Sequence, residues 1–138
     1  MKQSLLLATL MISVLIVEDE ILVAMDLERI LQDAGYRVAA IAADQEEAMS
    51  AGPQADLAFV DINLRDGATG PGIARDLAER FGVHIVYVTA NPAQIGEPAT
   101  KAVGCIRKPF SESAILAAVA SAGAGQQAAT EHKDIIRL

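Results

Sequence analysis

Short runs of apolar residues alternate along this chain with longer stretches in which apolar and polar positions follow a helical period. Unbroken apolar runs of about four to eight residues are typical of parallel strands that are buried on both faces. Such runs predict strands at 14–17, 37–42, 57–60, 84–88 and 104–107. The amphipathic stretches predict helices at 21–35, 44–50, 72–80 and 112–122. This alternation predicts right-handed βαβ units, and hence an α/β fold with a doubly wound, five-stranded parallel sheet.

Capping and turn residues mark several ends of these elements. Asp44 and Ser111 stand where helix N-cap residues are expected, and Gly35 and Gly82 stand where helices are expected to stop. In the first helix, the apolar positions predict a core-facing side. That side consists of Leu22, Met25, Leu27, Ile30, Leu31 and Ala34.

The segment 91–104 is poorly suited to a helix. It contains Asn91-Pro92, Gly96, Pro98 and Gly104, and both proline and glycine destabilise a helix interior. The helix that should connect the fourth and fifth strands is therefore predicted to be short or remodelled.

Composition and charge narrow the class of protein. The chain has 138 residues, 52% of them apolar, and no Trp, which predicts one domain with an aliphatic core. The formal net charge of −7 argues against nucleic-acid binding, because contacts to a phosphate backbone need concentrated Lys and Arg. Cys105 is the single cysteine, so we expect a packed thiol in a reducing, cytoplasmic setting.

The two ends of the chain are less regular than its middle. We predict an N-terminal arm at 1–11, the domain at 12–123 and a C-terminal tail at 124–138, partly disordered or with a short helix near 131–138. The apolar stretch from Leu5 to Val17 has 13 residues, whereas a membrane-spanning helix needs about 20. Contact with a membrane is therefore not expected.

Polar side chains follow four of the predicted strands where each strand ends: Glu18 and Asp19, then Asp61, Thr89 and Lys108. Ligands of doubly wound sheets bind outside the carboxyl ends of the strands. Lys108 there would neutralise a phosphoryl group and Thr89 would donate a hydrogen bond to it. Each residue alone has an ordinary explanation, since acids often begin helices and the others are typical of turns and surfaces. Their joint occurrence favours a site for a phosphoryl group and a divalent metal ion.

Asp61 is the candidate nucleophile, because a carboxylate can attack phosphorus to form an acyl phosphate, and we expect its side chain to face open solvent. Neighbouring carboxylates repel one another unless a cation lies between them, and Mg²⁺ prefers oxygen ligands. We expect Asp19 and Asp61 to bind Mg²⁺ directly. Glu18 would bind it through water, and Asn63 through its backbone carbonyl.

Four motifs together resemble those of a known family. They are Val-Leu-Ile-Val-Glu-Asp-Glu at 14–20, Leu-Ala-Phe-Val-Asp-Ile-Asn-Leu at 57–64, Val-Tyr-Val-Thr-Ala at 86–90 and Lys-Pro-Phe at 108–110. Across 12–122 the chain resembles the response-regulator receiver (CheY-like) domain of two-component signalling, which has a flavodoxin-like fold. The resemblance implies that Asp61 accepts a phosphoryl group from a phosphohistidine on a sensor histidine kinase, with Mg²⁺ required. It also implies that Thr89, Ala90 and Lys108 bind that group.

One position departs from the family pattern. Three residues before Lys108, at the switch position, the family has Tyr or Phe, whereas this chain has Cys105. Switching by rotation of an aromatic ring is therefore not expected. We expect phosphorylation to be signalled by reordering of 91–104 instead.

Two asparagines are candidates for controlling the lifetime of the phosphoryl group. Asn63 and Asn91 lie two residues after Asp61 and Thr89 respectively, and the resemblance places them beside the approach of the attacking water. They would support self-dephosphorylation, with the small Ala90 leaving access open. Both asparagines are equally typical of turns.

The resemblance predicts a stand-alone receiver that is a phosphoacceptor and not an enzyme, although it assists its own phosphorylation and dephosphorylation. It would contact a sensor histidine kinase and a downstream protein target, or act as a phosphate sink, as a monomer or weak homodimer. Two alternatives remain open. A scaffold that works without phosphorylation is one; a haloacid-dehalogenase-type phosphatase is the other, although its Asp-x-Asp motif would need an acid where this chain has Asn63.

Overall fold

Strands and α-helices alternate along most of the chain. The computed structural model describes residues 12–123 and 132–138, so the predicted arm at 1–11 and the first part of the tail at 124–131 lie outside the described residues. The strands are β1 (Ser13–Val17), β2 (Arg37–Ala42), β3 (Leu57–Val60), β4 (His84–Thr89), β5 (Ala102–Arg107) and β6 (Ile135–Ile136). The α-helices are α1 (Ile21–Asp33), α2 (Gln45–Ala51), α3 (Gly70–Phe81) and α4 (Glu112–Gly123).

The first five strands form a parallel sheet in the order β2-β1-β3-β4-β5, and β6 pairs antiparallel with β5. Helices α2 and α3 pack on one face of the sheet, and α1 and α4 pack on the other. Every residue of β1 and β3 is buried, which explains the unbroken apolar runs at 14–17 and 57–60. The predicted doubly wound α/β fold is confirmed. In the part of the chain that the structure describes, no helix combines the length and the apolarity that crossing a membrane requires.

The predicted caps are present. The Asp44 carboxylate accepts a hydrogen bond of 2.9 Å from the Glu47 backbone N–H, and the Ser111 hydroxyl accepts one of 3.2 Å from the Ala114 N–H. Gly82 ends α3 in the left-handed conformation, with φ of 70°, which a residue with a Cβ adopts at a cost. These contacts fix where α2, α3 and α4 join the sheet.

Helix α1 differs from its prediction. Its buried side is narrower than the apolar pattern suggested and consists of Ala24, Leu27, Ile30 and Leu31. The prediction that Leu22 and Met25 face the core is wrong, because their exposed fractions are 78% and 53%, and that of Ile21 is 62%. The apolar positions of this helix cover a wider arc than the sheet can contact, which leaves three large apolar side chains in solvent.

The segment between β4 and β5 forms a 3-10 turn at Pro92–Ile95 and no α-helix. This confirms the prediction that the helix connecting these two strands is short or remodelled. Ile95 is buried and anchors the turn in the core. The buried Tyr87 hydroxyl accepts a hydrogen bond of 3.0 Å from the Ala99 backbone N–H. Ile95 and the Tyr87 hydroxyl therefore help to hold in place a segment whose helical structure is one short 3-10 turn.

The expected short helix near 131–138 is wrong for residues 132–138, which carry β6. Ile135 is buried and Ile136 is exposed, the alternation of a strand with one face on the core. Residue Ile136 pairs with Cys105, and Ile135 pairs with Ile106. A two-residue strand produces almost no sequence pattern, so periodicity could not distinguish it from a helix end.

Candidate functional site

The carboxyl ends of β1 and β3 bring three acidic side chains together. Glu18 and Asp19 follow β1, and Asp61 follows β3, the strand hydrogen-bonded to it. One carboxylate oxygen from each of the three lies within 4.8 Å of the others. The cluster predicted from the strand ends therefore forms, because parallel neighbours deliver their last residues to one edge of the sheet.

Lys108 completes the cluster from β5. Its Nζ lies 2.6 Å from Glu18 Oε1 and 2.9 Å from Asp61 Oδ2, and 3.9 Å from Glu20 Oε2. Its backbone N–H donates a hydrogen bond of 3.0 Å to the Thr89 carbonyl. Lys108 thus joins the ends of β1, β3, β4 and β5, and the peptide bond between Lys108 and Pro109 is cis.

Asp61 is less open than expected. We anticipated a carboxylate facing solvent, but only 11% of the Asp61 side chain is exposed. Lys108 bonds to one of its oxygens, and the Ile62 backbone N–H donates a hydrogen bond of 2.7 Å to the other. The backbone of Asp61 is closely packed as well, because a Cβ on Gly70 would lie 2.0 Å from the Asp61 carbonyl oxygen. A group entering the site must therefore displace or rearrange the Lys108 contact.

Burial and charge act on the ionisation of the cluster. Burial raises the pKa of Glu18 to about 7; the Lys108 hydrogen bond opposes this increase and the Asp61 charge adds to it. Burial lowers the pKa of Lys108, but the hydrogen bonds to Asp61 and Glu18 outweigh that effect, so its pKa is raised overall. We conclude that the ammonium remains charged and is the internal counter-ion of the carboxylates.

The donor set fits a hard divalent cation. Glu18, Asp19 and Asp61 offer carboxylate oxygens, which Mg²⁺ prefers, and Asp19 is the exposed member at the mouth of the cluster. The Asn63 side-chain amide donates a hydrogen bond of 3.0 Å to Gln94 Oε1. Binding of Mg²⁺ through the Asn63 backbone carbonyl stays a prediction.

The remaining predicted residues surround this cluster or lie below it. Thr89 is buried, and its hydroxyl accepts a hydrogen bond of 3.1 Å from the Asn91 backbone N–H. Ala90 is exposed. Cys105 lies inside β5, in register with Tyr87 of β4, and burial raises the pKa of its thiol to about 11. Cys105 is therefore a core residue and makes no contribution to the charged cluster.

Three contributors to the site were missed from the sequence. Glu20 approaches Lys108, and its position in the run Glu18-Asp19-Glu20 was a usable signal. Gly70 closely approaches the Asp61 backbone, but the sequence shows only a glycine in a predicted loop and gives no sign of this contact. The pairing of Gln94 with Asn63 joins residues 31 positions apart, for which the sequence carries no signal.

Known proteins resemble this chain in sequence and in fold. A family model for the response regulator receiver domain matches residues 14–120. The phyllosphere-induced regulator PhyR of Methylorubrum extorquens is 35% identical over 129 residues, which cover 90% of this chain and 48% of PhyR. The transcriptional regulatory protein PdtaR of Mycobacterium tuberculosis is 34% identical over 113 residues, which cover 77% of this chain and 54% of PdtaR.

A solved structure agrees with these matches. The solution structure of the PhyR response regulator REC domain of Erythrobacter litoralis has a TM-score of 0.74 and 30% identity, and the match covers 88% of this chain and 97% of that domain. The chain spans about half the length of PhyR and of PdtaR. The similarity therefore concerns one domain of each of these two regulators.

Proposed function

This chain belongs to the response regulator receiver domain family, and from that premise we propose that Asp61 accepts a phosphoryl group from a phosphohistidine of a sensor histidine kinase. The proposal depends on one observation above all. Asp61 lies at the end of β3, with its carboxylate 2.9 Å from the Lys108 ammonium and within 4.8 Å of carboxylate oxygens of Glu18 and Asp19. A carboxylate placed beside a cation and potential metal ligands is equipped for phosphoryl transfer.

The proposed reaction replaces a phosphorus–nitrogen bond on the donor with a phosphorus–oxygen bond on Asp61. The bond between phosphorus and the donor histidine nitrogen breaks as a bond forms to an Asp61 carboxylate oxygen, which gives an acyl phosphate. When bound, Mg²⁺ neutralises charge on the phosphoryl oxygens. Lys108 would move from Asp61 toward the phosphoryl group, and the Thr89 hydroxyl, which accepts from Asn91, retains its own hydrogen to donate.

The exposed apolar face of α1 supports docking of a protein donor. Ile21, Leu22 and Met25 lie next to the site at the start of α1, and an exposed cluster of large apolar side chains is typical of a protein contact. A cavity of about 520 Å³ lies between this face and the chain around Lys108. Its lining includes Leu22, Val23, Ala90, Lys108, Pro109 and Phe110.

Contacts within the same structure support output through segment 91–104. Cys105 lacks a ring, so a rotating aromatic at that position cannot report phosphorylation. The Asn91 N–H is bonded to the Thr89 hydroxyl, and Ala99 is bonded to Tyr87. Movement of Thr89 toward a phosphoryl group would break the first of these bonds and loosen the segment. A downstream protein in the cytoplasm would recognise the change.

The alternatives are less well supported. A scaffold that works without phosphorylation would not need the Lys108 contacts to two buried carboxylates. Such buried ion pairs contribute little net stability, so stability alone does not account for them. A phosphatase of the Asp-x-Asp type needs a general acid at position 63, where the Asn63 amide is bonded to Gln94. Nothing in the comparisons supports that reaction.

Incubation with a small phosphodonor such as acetyl phosphate, with and without Mg²⁺, tests the proposal. We expect one phosphoryl group per chain, dependent on Mg²⁺, sensitive to hydroxylamine and absent from Asp61→Asn. The matched control Asp33→Asn removes an exposed carboxylate at the end of α1 and should be phosphorylated like the parent. Rapid multiple turnover would indicate the phosphatase, and no incorporation would indicate the scaffold.

A further inference from the structure

Strand β6 covers what would otherwise be the outer edge of the sheet. The order β2-β1-β3-β4-β5-β6 makes β5 the last parallel strand, and β6 pairs with it in the opposite direction through Cys105 with Ile136 and Ile106 with Ile135. An edge strand offers unpaired N–H and C=O groups that bind another strand. Residues 132–138 therefore occupy a position that could receive an extended segment from elsewhere.

The attachment of this segment is short and mostly polar. Ile135 is its one buried apolar side chain, and it packs with the core between β5 and α4. Two hydrogen bonds of 3.1 Å hold the turn before it, from the Ser111 hydroxyl to Asp134 and between Ser113 and His132. Asp134 and Ser113 are exposed, and Ser111 and His132 are half-buried. Few buried contacts and exposed hydrogen bonds mark a segment that opens at low cost.

The edge is physically joined to the acidic cluster. Arg107, at the end of β5, pairs with Thr89, and the next residue, Lys108, bonds to Thr89 and to Asp61. A segment bound at Cys105 and Ile106 therefore lies within three residues of the lysine that responds to the charge of Asp61. A groove of about 430 Å³ lies beside β6, at the end of β5. Its lining includes Arg107, Lys108, Phe110, Ser111, Asp134 and Ile136.

We propose that the β5 edge is a docking site for an extended segment of a partner protein, and that residues 132–138 occupy this site in competition with the partner. The resident segment indicates the chemistry that fits. A β-branched apolar residue at the position of Ile135 enters the core, an acidic residue before it meets Ser111, and the cationic Arg107 lines the same groove as that acidic residue. Addition of a strand to a sheet edge supplies the backbone hydrogen bonds. This inference does not depend on phosphorylation of Asp61.

The proposal is tested by measuring the affinity of a labelled peptide of residues 132–138 for the full-length parent chain and its variants. Ile135→Asp should release the resident segment, and we expect this variant to bind the peptide at least tenfold more tightly than the parent does. The control Leu138→Asp changes an exposed side chain of the same segment and should bind like the parent. A peptide that carries Asp in place of Ile135 should not bind any of the chains.

Hydrogen exchange measured on the same samples separates release from unfolding. Amides of β5 should exchange faster in Ile135→Asp, while those of β1 and β3 should remain protected, and added peptide should restore the β5 protection. If β1 and β3 lose protection, Ile135→Ala is used, and at least threefold tighter peptide binding than the parent is then required. Equal binding by parent and released variant, or no binding by a folded released variant, would overturn the proposal. So would parent dimers that the peptide dissociates, since the occupant would then be a second copy.

Discussion

Tyr87 and Cys105 lie side by side on β4 and β5, in register and on the same face of the sheet. The large aromatic ring thus stands one strand away from the position at which the family has its switching residue. Unlike a surface ring, Tyr87 is fully buried, and its hydroxyl is bonded to Ala99 of the remodelled segment. We interpret Tyr87 as a fixed anchor for that segment.

Tyr87→Phe should therefore destabilise the segment more than the rest of the domain. The change leaves the buried Ala99 N–H without its acceptor, and we expect a loss of roughly 1–3 kcal/mol in the free energy of unfolding. Urea denaturation measures the loss, and hydrogen exchange should locate it at residues 96–101. Tyr36→Phe, in a partly exposed position, is the matched control and should change stability by less than about 0.5 kcal/mol.

Divalent metal binding should depend on the acidic cluster. Asp19→Asn removes the exposed carboxylate of the three, and we expect Mg²⁺ affinity to fall by about tenfold or more. Titration calorimetry measures this affinity in the parent and the variant. Glu46→Gln, in the first turn of α2, removes an equal charge elsewhere and should leave the affinity unchanged. Equal losses in both variants would attribute the effect to net charge and contradict a local site.

Gly70→Ala should disturb Asp61 through the backbone. The added Cβ would lie 2.0 Å from the Asp61 carbonyl oxygen and 2.6 Å from Ile62 Cα, so the chain must move. We expect a destabilisation of about 1–3 kcal/mol and slower phosphorylation from acetyl phosphate. Gly72→Ala is a close control, because its Cβ would meet only Arg75, 3.9 Å away. That variant should be as stable as the parent or more so, since alanine favours helix.

The lifetime of the phosphoryl group should depend on the contact between Asn63 and Gln94. Asn63→Ala and Gln94→Ala should each change the half-life of phosphorylated Asp61 by about threefold or more. Because the two side chains are hydrogen-bonded to each other, either substitution alone removes this contact. The double variant should therefore show less than the sum of the two single effects. Asn91→Ala tests the second asparagine. Decay of radiolabelled phosphoprotein gives the half-lives. Unchanged decay in both Asn63→Ala and Asn91→Ala would leave these residues as turn formers only.

Cys105 should react slowly with thiol reagents. Burial raises its pKa to about 11, and only the thiolate reacts, so at pH 8 about one chain in a thousand carries the reactive form while folded. Labelling should be at least about a hundredfold slower than in urea, and it should accelerate as pH rises toward 11. Since the chain has one cysteine, the signal has a single source. Fast labelling of the folded protein would mean that β5 opens readily.

Much of the fold and of the charged cluster was predictable because the signals are local. Unbroken apolar runs identify buried strands, and the topology of parallel strands then brings Glu18, Asp61 and Lys108 to one edge without knowledge of any contact. Solvent exposure was not predictable in the same way. The exposure of Leu22 and the burial of Asp61 depend on how far neighbouring elements extend, and sequence periodicity does not contain that distance.

The three uncovered side chains on α1 also have a consequence for how the protein could be redirected. Because Ile21, Leu22 and Met25 contribute little to the core, their identities can change while the free energy of folding remains nearly constant. Under the proposed function, in which this face receives the protein donor, grafting the corresponding three residues of another receiver onto this helix should change the preferred phosphodonor, and the cluster around Asp61 would remain as it is.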